Sequence, residues 1–220
     1  MRGRQFKAFY SGIACRFMTS EFPRQLFPHP LRGLDAALRI SAGSLVRTLK
    51  GACTGISIAD STRLAVCHNL HIQRHSVFKA IAQRGKSSTG WRYGFKLHAV
   101  INHSVELLAI KLTPGNVDDR KGLLAIASGL FGKLYADKGY IGKEFARQMK
   151  DKGLDVVTRV RKNMKEVVHS GFDQALLRKR ALVETVFDEL KNLSQIGHTR
   201  HRSLSNFAVN LMAGIVAHCL

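Results

Sequence analysis

Two short apolar runs each stop on an aspartate, and the two aspartates stand 77 residues apart: Ile56-Ser-Ile-Ala59 runs into Asp60, and Leu134-Tyr-Ala136 runs into Asp137. Carboxylates gathered at one point can hold a hard divalent cation or move protons, and the carboxyl ends of central strands are where open α/β sheets place such groups. Asp also leaves strands simply to cap the next turn, so one such end alone carries little. A third acid lies in the segment Arg180-Ala-Leu-Val-Glu184-Thr-Val-Phe-Asp188-Glu189-Leu-Lys191. At 100° per residue Leu177, Arg180, Asp188 and Lys191 all fall within about 40° of Glu184 on a helix. Val183, Val186, Phe187 and Leu190 form the adjoining buried stripe. Glu184 therefore has a cation one turn before it and another two turns after it. A structural ladder of ion pairs has the same pattern. Glu189 is rotated by about 140° from Glu184 and cannot serve the same site.

The elements that would position these acids follow from hydrophobic periodicity. Gly55 precedes the first strand, which ends at Asp60. Arg63 to Gly90 then reads as a polar insertion, with Arg84-Gly-Lys86-Ser-Ser-Thr-Gly90 as a flexible basic loop suited to touching phosphate. Within that insertion Cys67, His68, His71 and His75 lack a second half at zinc-site spacing, and read as solvated or phosphate-contacting side chains. Trp91–Ile101 and Val105–Leu112 read as a hairpin. Thr113 to Asp119 is a turn and helix start whose carboxylates suit a cap, with the helix running to about Ser128. The Asp137 strand, a helix over Gly142–Lys152 and a fifth strand over Leu154–Val160 come next. Helices over Phe172–Ser194 and Ser203–Leu220 complete the chain. Three strands in meander, two parallel crossover strands and flanking helices make a mixed five-stranded α/β sheet, the RNase H-like fold, with the Asp60 strand beside the Asp137 strand. Residues 1–50, broken by Pro23, Pro28 and Pro30, read as a basic, partly disordered arm and helix ahead of a domain over 51–220.

Charge points to the partner. The 220 residues hold 35 Lys and Arg against 15 Asp and Glu, a net charge of +20. Such a surface attracts polyanions, nucleic acid before anionic membrane. Four scattered cysteines without a CxxC pair fit an intracellular protein with reduced thiols. The longest apolar segment, Phe207–Leu220, is shorter than the roughly 20 residues a membrane span needs.

The residues on the third-acid helix carry a resemblance. Arg180, Glu184 and Lys191 match the Arg-x3-Glu-x6-Lys tail signature of the DDE transposases of bacterial insertion sequences, in which two strand-borne Asp residues combine with a helix-borne Glu. Leu177 stands where that signature has Tyr. The segments Cys53–Asn69, Thr113–Asp119 and Ala136–Tyr140 are also similar, so the likeness spans roughly residues 50–220. It implies Asp60, Asp137 and Glu184 as catalytic residues and as ligands of two Mg²⁺ or Mn²⁺ ions, with Asp60 bridging the ions. The implied reaction is cleavage of DNA at element ends, followed by attack of the freed 3′ hydroxyl on target DNA. Arg180 and Lys191 would then steady phosphate near the ions, and Lys96, Arg159, Arg161 and Lys162 would contact the DNA backbone. The resemblance places the chain in the bacterial cytoplasm at the nucleoid, and is compatible with a homo-oligomer on DNA. A nuclease or resolvase with the same acids, or a shortened copy that only binds DNA, are the competing readings.

Overall fold

The computed structural model describes residues 50–87, 90–160, 164, 168–197, 201 and 204–219. The expected arm and interrupted helix before residue 50, and the expected DNA contacts Arg161 and Lys162, lie outside the described residues.

Six strands form one sheet: β1 (Ile56–Cys67), β2 (Gln83–Ser87), β3 (Gly90–Asn102), β4 (Leu107–Pro114), β5 (Gly132–Ala136) and β6 (Leu154–Thr158). β3 takes β1 on one edge and β4 on the other, both antiparallel. β1 then pairs with β5, and β5 with β6, both parallel. The five core strands thus run in the order β4-β3-β1-β5-β6, the RNase H-like arrangement expected from the sequence. β2 shares β4's edge of β3, pairing with Gly90–Gly94 where β4 pairs with Phe95–Ile101.

Helices cover both faces, as a sheet buried on two sides requires. α1 (Asp119–Leu124) and α2 (Lys143–Asp151) pack over one side. There Leu123, Phe145 and Met149 bury Ala59, Val100, Leu134 and Ala136. α3 (Gly171–Lys179), α4 (Ala181–Asp188) and α5 (Leu204–Cys219) cover the other. Val183, Val186, Phe187, Phe207 and Leu211 close on Ile58, Leu64, Phe95 and Tyr135 on that side.

Three expectations about the elements need correction. β1 does not stop at Asp60 but runs seven residues further to Cys67, because Leu64 and Val66 continue the alternation and are buried against the helices. The basic stretch at Arg84 is not a loop over Arg84–Ser87 but strand β2, since its backbone groups are satisfied by β3. The single helix expected over Phe172–Ser194 is broken at Arg180 into α3 and α4, and α4 ends in a π-helical turn at Glu189–Leu193. Neither Gly nor Pro marks that break in the sequence.

Two contacts fix the elements that bear the acids. Where β1 and β5 begin their pairing, Gly132 has φ +85° and its backbone lies against Gly55, so a side chain there would clash with the Gly55 carbonyl oxygen. Only glycine permits that close approach. At the start of α3, the Ser170 side chain accepts from the Asp173 N–H. The buried Asp173 carboxylate in turn accepts from Lys133 Nζ at 2.8 Å and Tyr135 Oη at 2.6 Å on β5. These bonds, Lys133's foremost, hold the Asp173 carboxyl down at about 2. They bind α3, and hence the α3–α4 junction, to the strand that carries Asp137.

Candidate active site

The 77-residue spacing of the two aspartates is the register of a parallel pair. Ile56 lies opposite Lys133, Ser57 opposite Leu134 and Ile58 opposite Tyr135. Two residues further along, the same offset sets Asp60 level with Asp137, just past the last paired residues. Asp137 is exposed at the first position after β5, where it opens a single 3-10 turn over Lys138–Tyr140 without capping it through its side chain. Its carboxylate is therefore left over from local hydrogen bonding. Side chains alternate along β1, so Asp60 and Thr62 point to the α4 side while Ser61 and Arg63 point to the α1 side.

From α4 come the other members. Arg180, at the α3–α4 break, donates from Nη1 to Asp60 Oδ2 at 3.2 Å and from Nη2 to Glu184 Oε1 at 2.8 Å. One guanidinium thus joins the strand acid to the helix acid. Asp60 also accepts from the Ser61 N–H at 2.8 Å. Lys191, in the π-helical turn, hydrogen-bonds the Thr62 hydroxyl beside Asp60. Glu184 is about half exposed and Asp60 mostly buried, with side chains 52% and 20% accessible. Burial pushes the Asp60 carboxyl up to about 6, against the pull of the Ser61 N–H and the Arg180 charge, and the charges of Asp137 and Glu184 push it the same way as burial. Asp60 thus feels the charge of both other acids. Beside them opens a cleft of about 380 Å³ walled by Asp137, Lys138, Arg159, Arg178, Arg180 and Glu184.

Placement of the expected DNA contacts is uneven. Arg159 is exposed at the cleft wall. Lys96 lies away from it, with a buried side chain whose Nζ donates to Val117 O at 2.7 Å and to Asp119 Oδ1 at 3.0 Å. Its cation is spent inside the fold, on the α1 side of the sheet. Glu189, set aside from its rotation, points to α5, where its Oε2 lies 3.2 Å from His218 Nδ1. Asp188 is exposed. The histidines of the former insertion do not converge: His75 packs edge-on to Phe78, and His68 and His71 stand 6.3 Å apart.

Sequence reasoning missed the residues behind Asp60. Asp118 and Asp119 both read as cap carboxylates, yet a helix start needs one: Asp118 accepts from the Arg120 N–H, which leaves Asp119 free to turn toward β1. Asp119 Oδ1 accepts from Ser61 Oγ at 2.7 Å and from Lys96 Nζ. Tyr140 shares a hydrogen bond with Ser61, and burial raises its hydroxyl well above the ordinary phenol range. A buried cation and two hydroxyls thus stiffen the backbone at Asp60 from behind. Asp119→Ala should leave Lys96 without its counterion, with only Val117 O to accept from it, and lower stability by roughly 3 kcal/mol, read as a drop in melting temperature. Adding Lys96→Met should recover most of that loss while leaving activity about tenfold down, since loss of a supporting partner typically costs that much. Full recovery of activity in the pair would reduce Asp119 to a structural counterion.

Among the described residues no group of three His, Cys, Asp or Glu is drawn into a ready cation cage. The donor set nonetheless fits hard divalent ions: carboxylates of two adjacent strands and a facing helix, with a protein cation between two of them where positive charge is called for. No helix among the described residues is long and apolar enough to cross a membrane.

Curated proteins give no match. One similar solved structure is the simian T-cell lymphotropic virus intasome in complex with the PP2A regulatory subunit B56 gamma, at 14% identity and a TM-score of 0.32, over 93% of this chain and 63% of that one. The transposase DDE domain model matches residues 50–204, well over half of the chain. The protein belongs to the transposase DDE-domain family.

Proposed function

We propose that the protein cuts DNA at the ends of a mobile element and joins the freed 3′ hydroxyl to target DNA, using Asp60, Asp137 and Glu184 as one divalent-metal site. The observation that carries this reading is the convergence of parallel register and helix: Asp60 and Asp137 are level on neighbouring strands, and Arg180 ties Asp60 to Glu184 across the facing helix. Mg²⁺ or Mn²⁺ held there would stabilise charge developing on the phosphate and activate the attacking oxygen.

In the first step a water oxygen attacks phosphorus, the bond from phosphorus to the 3′ oxygen breaks, and that oxygen leaves as a 3′ hydroxyl. In the second, the same hydroxyl attacks a target phosphodiester, forms a new bond to phosphorus and releases a target 3′ hydroxyl. The chain's own part is positioning. Asp119 and Ser61 hold the Asp60 backbone, Tyr135 and Asp173 hold α3, and Arg180 must exchange a carboxylate for a phosphate oxygen when DNA enters. Arg159 and Arg178 at the cleft wall, with Arg161 and Lys162 next in sequence, supply backbone contacts. Much of the affinity would be electrostatic and would fall steeply with salt.

The test is a joining assay with a pre-cut 3′ end. Mg²⁺-dependent joined product, absent in EDTA, is the expected result. Cutting without joining would make the protein a nuclease, and binding without either would make it a DNA-binding remnant.

A further inference from the structure

From Ser61 to Val105 the sequence contains no Asp or Glu, yet it contains Arg63, Arg74, Lys79, Arg84, Lys86, Arg92 and Lys96. The fold gathers part of this stretch into a ribbon beyond the five core strands, Gln83–Ser87 paired with Gly90–Gly94. Arg84, Lys86 and Arg92 are exposed there, and among the described residues none has an acidic partner. Arg63 crosses to the ribbon and donates from Nη2 to Lys86 O at 2.7 Å. Burial first, and the nearby Arg92 charge after it, lower the proton affinity of Arg63 against the opposing pull of Asp119. Side chains alternate along the ribbon, so Arg63 and Arg92 share the α1 face with Asp119, while Arg84 and Lys86, opposite Tyr93 and Trp91, share the other face. Like charges without counterions on that face suit an anion.

Among these cations stands Trp91, 52% exposed. The Arg84 guanidinium carbon lies 5.9 Å from the indole centroid, and Asn69 Nδ2 fixes the Trp91 carbonyl at 2.8 Å. An aromatic plane held rigid at the surface, with cations around it, is the device by which proteins bind single-stranded nucleic acid: phosphates meet the charges and an unpaired base stacks on the ring. A duplex shields its base faces and offers no such partner to the ring. The ribbon is also aligned with the acids. Asp60 pairs with Ala99 on β3, and eight residues back along β3, roughly 26 Å at strand rise, is Trp91.

We propose that the β2–β3 ribbon is a second DNA-binding site, specific for single-stranded DNA, in which Arg84 and Lys86 hold the backbone and Trp91, on the same face, stacks on an unpaired base. The identity of the ligand rests on the transposase reading above; the site itself rests on the ribbon.

Trp91 is the chain's single tryptophan, so its fluorescence reports this site alone. With the full chain in EDTA, an oligothymidylate single strand should quench that emission saturably, and a matched duplex should quench it at most half as much. Arg84→Ala with Lys86→Ala should weaken the single-strand affinity roughly tenfold and flatten its salt dependence, with circular dichroism confirming an unchanged fold. Trp91→Phe should retain part of the affinity, measured by anisotropy of labelled DNA, because a smaller ring still stacks. No quenching, equal quenching by duplex, concentration-dependent quenching without DNA, or indifference to the paired alanine changes would each overturn the proposal. If Mg²⁺-dependent cutting is present while Trp91 stays silent, the ribbon assignment alone fails. If Trp91 responds while the chain never cuts, the transposase reading fails and the ribbon stands.

Discussion

Asp60→Asn and Asp137→Asn each remove Mg²⁺-dependent DNA cleavage, by about a thousandfold or more, while DNA affinity changes by less than a few-fold. The size of the loss follows from what the carboxylates do, because charge stabilisation at phosphorus is worth several kcal/mol and cannot be supplied by a neutral amide. The preservation of affinity follows from separation of labour. Asp60 is mostly buried against Arg180, whereas the net charge of +20 is spread through the chain, so removing one acid leaves the attraction to phosphate intact or slightly stronger. Single-turnover cleavage and a binding titration on the same preparations check both halves. Parental cleavage by either variant would remove that aspartate from the site.

The same Asp60→Asn change should make the metal-free protein more stable. A folded-state carboxyl raised from 3.8 to about 6 binds its proton more tightly when folded than when unfolded. Its contribution to stability is therefore fully present below pH 4 and lost as pH rises through 6. At pH 8 the buried charge costs roughly 3 kcal/mol, even with Arg180 beside it, and the neutral amide avoids that cost. The variant should melt several degrees above the parent at pH 8, and the gap should close by about pH 4. Equal melting at both pH values would mean that Arg180 compensates the burial entirely. A gain in stability together with a loss of cleavage is the usual signature of a residue kept for chemistry rather than folding.

Some of this was legible in the chain because physics ties it to spacing. Two apolar runs that each stop on Asp suggest a shared site, and the parallel register of β1 and β5 keeps one offset that sets Asp60 level with Asp137. A helix turn brings residues four apart together, so Arg180 and Glu184 were readable as a pair, and the rotation of Glu189 was readable as an exclusion. What failed depended on partners distant in sequence. Lys96 looked like a surface cation because nothing local says that Asp119 will come over it. Asp60-Ser-Thr reads as the end of β1 because it closes the apolar run, although Leu64 and Val66 beyond it are buried against α4 and α5. The break at Arg180 has no local breaker; it arises where α3 is tied to β5 through Asp173 while α4 must lie on β1. Strand β2 was hidden by its own charges, since its cations face outward and only backbone pairing with β3 makes it a strand.

Which glutamate completes the site is the point on which the account turns, because Glu184 and Glu189 lie five residues apart and face different neighbours. Glu184 shares Arg180 with Asp60, and Glu189 meets His218 on α5. The direct measurement is Mg²⁺-dependent cleavage by Glu184→Gln and Glu189→Gln, made side by side on folded protein. Cleavage lost in Glu184→Gln and kept within a few-fold of the parent in Glu189→Gln is the expected result; the reverse pattern would contradict the site described for this protein.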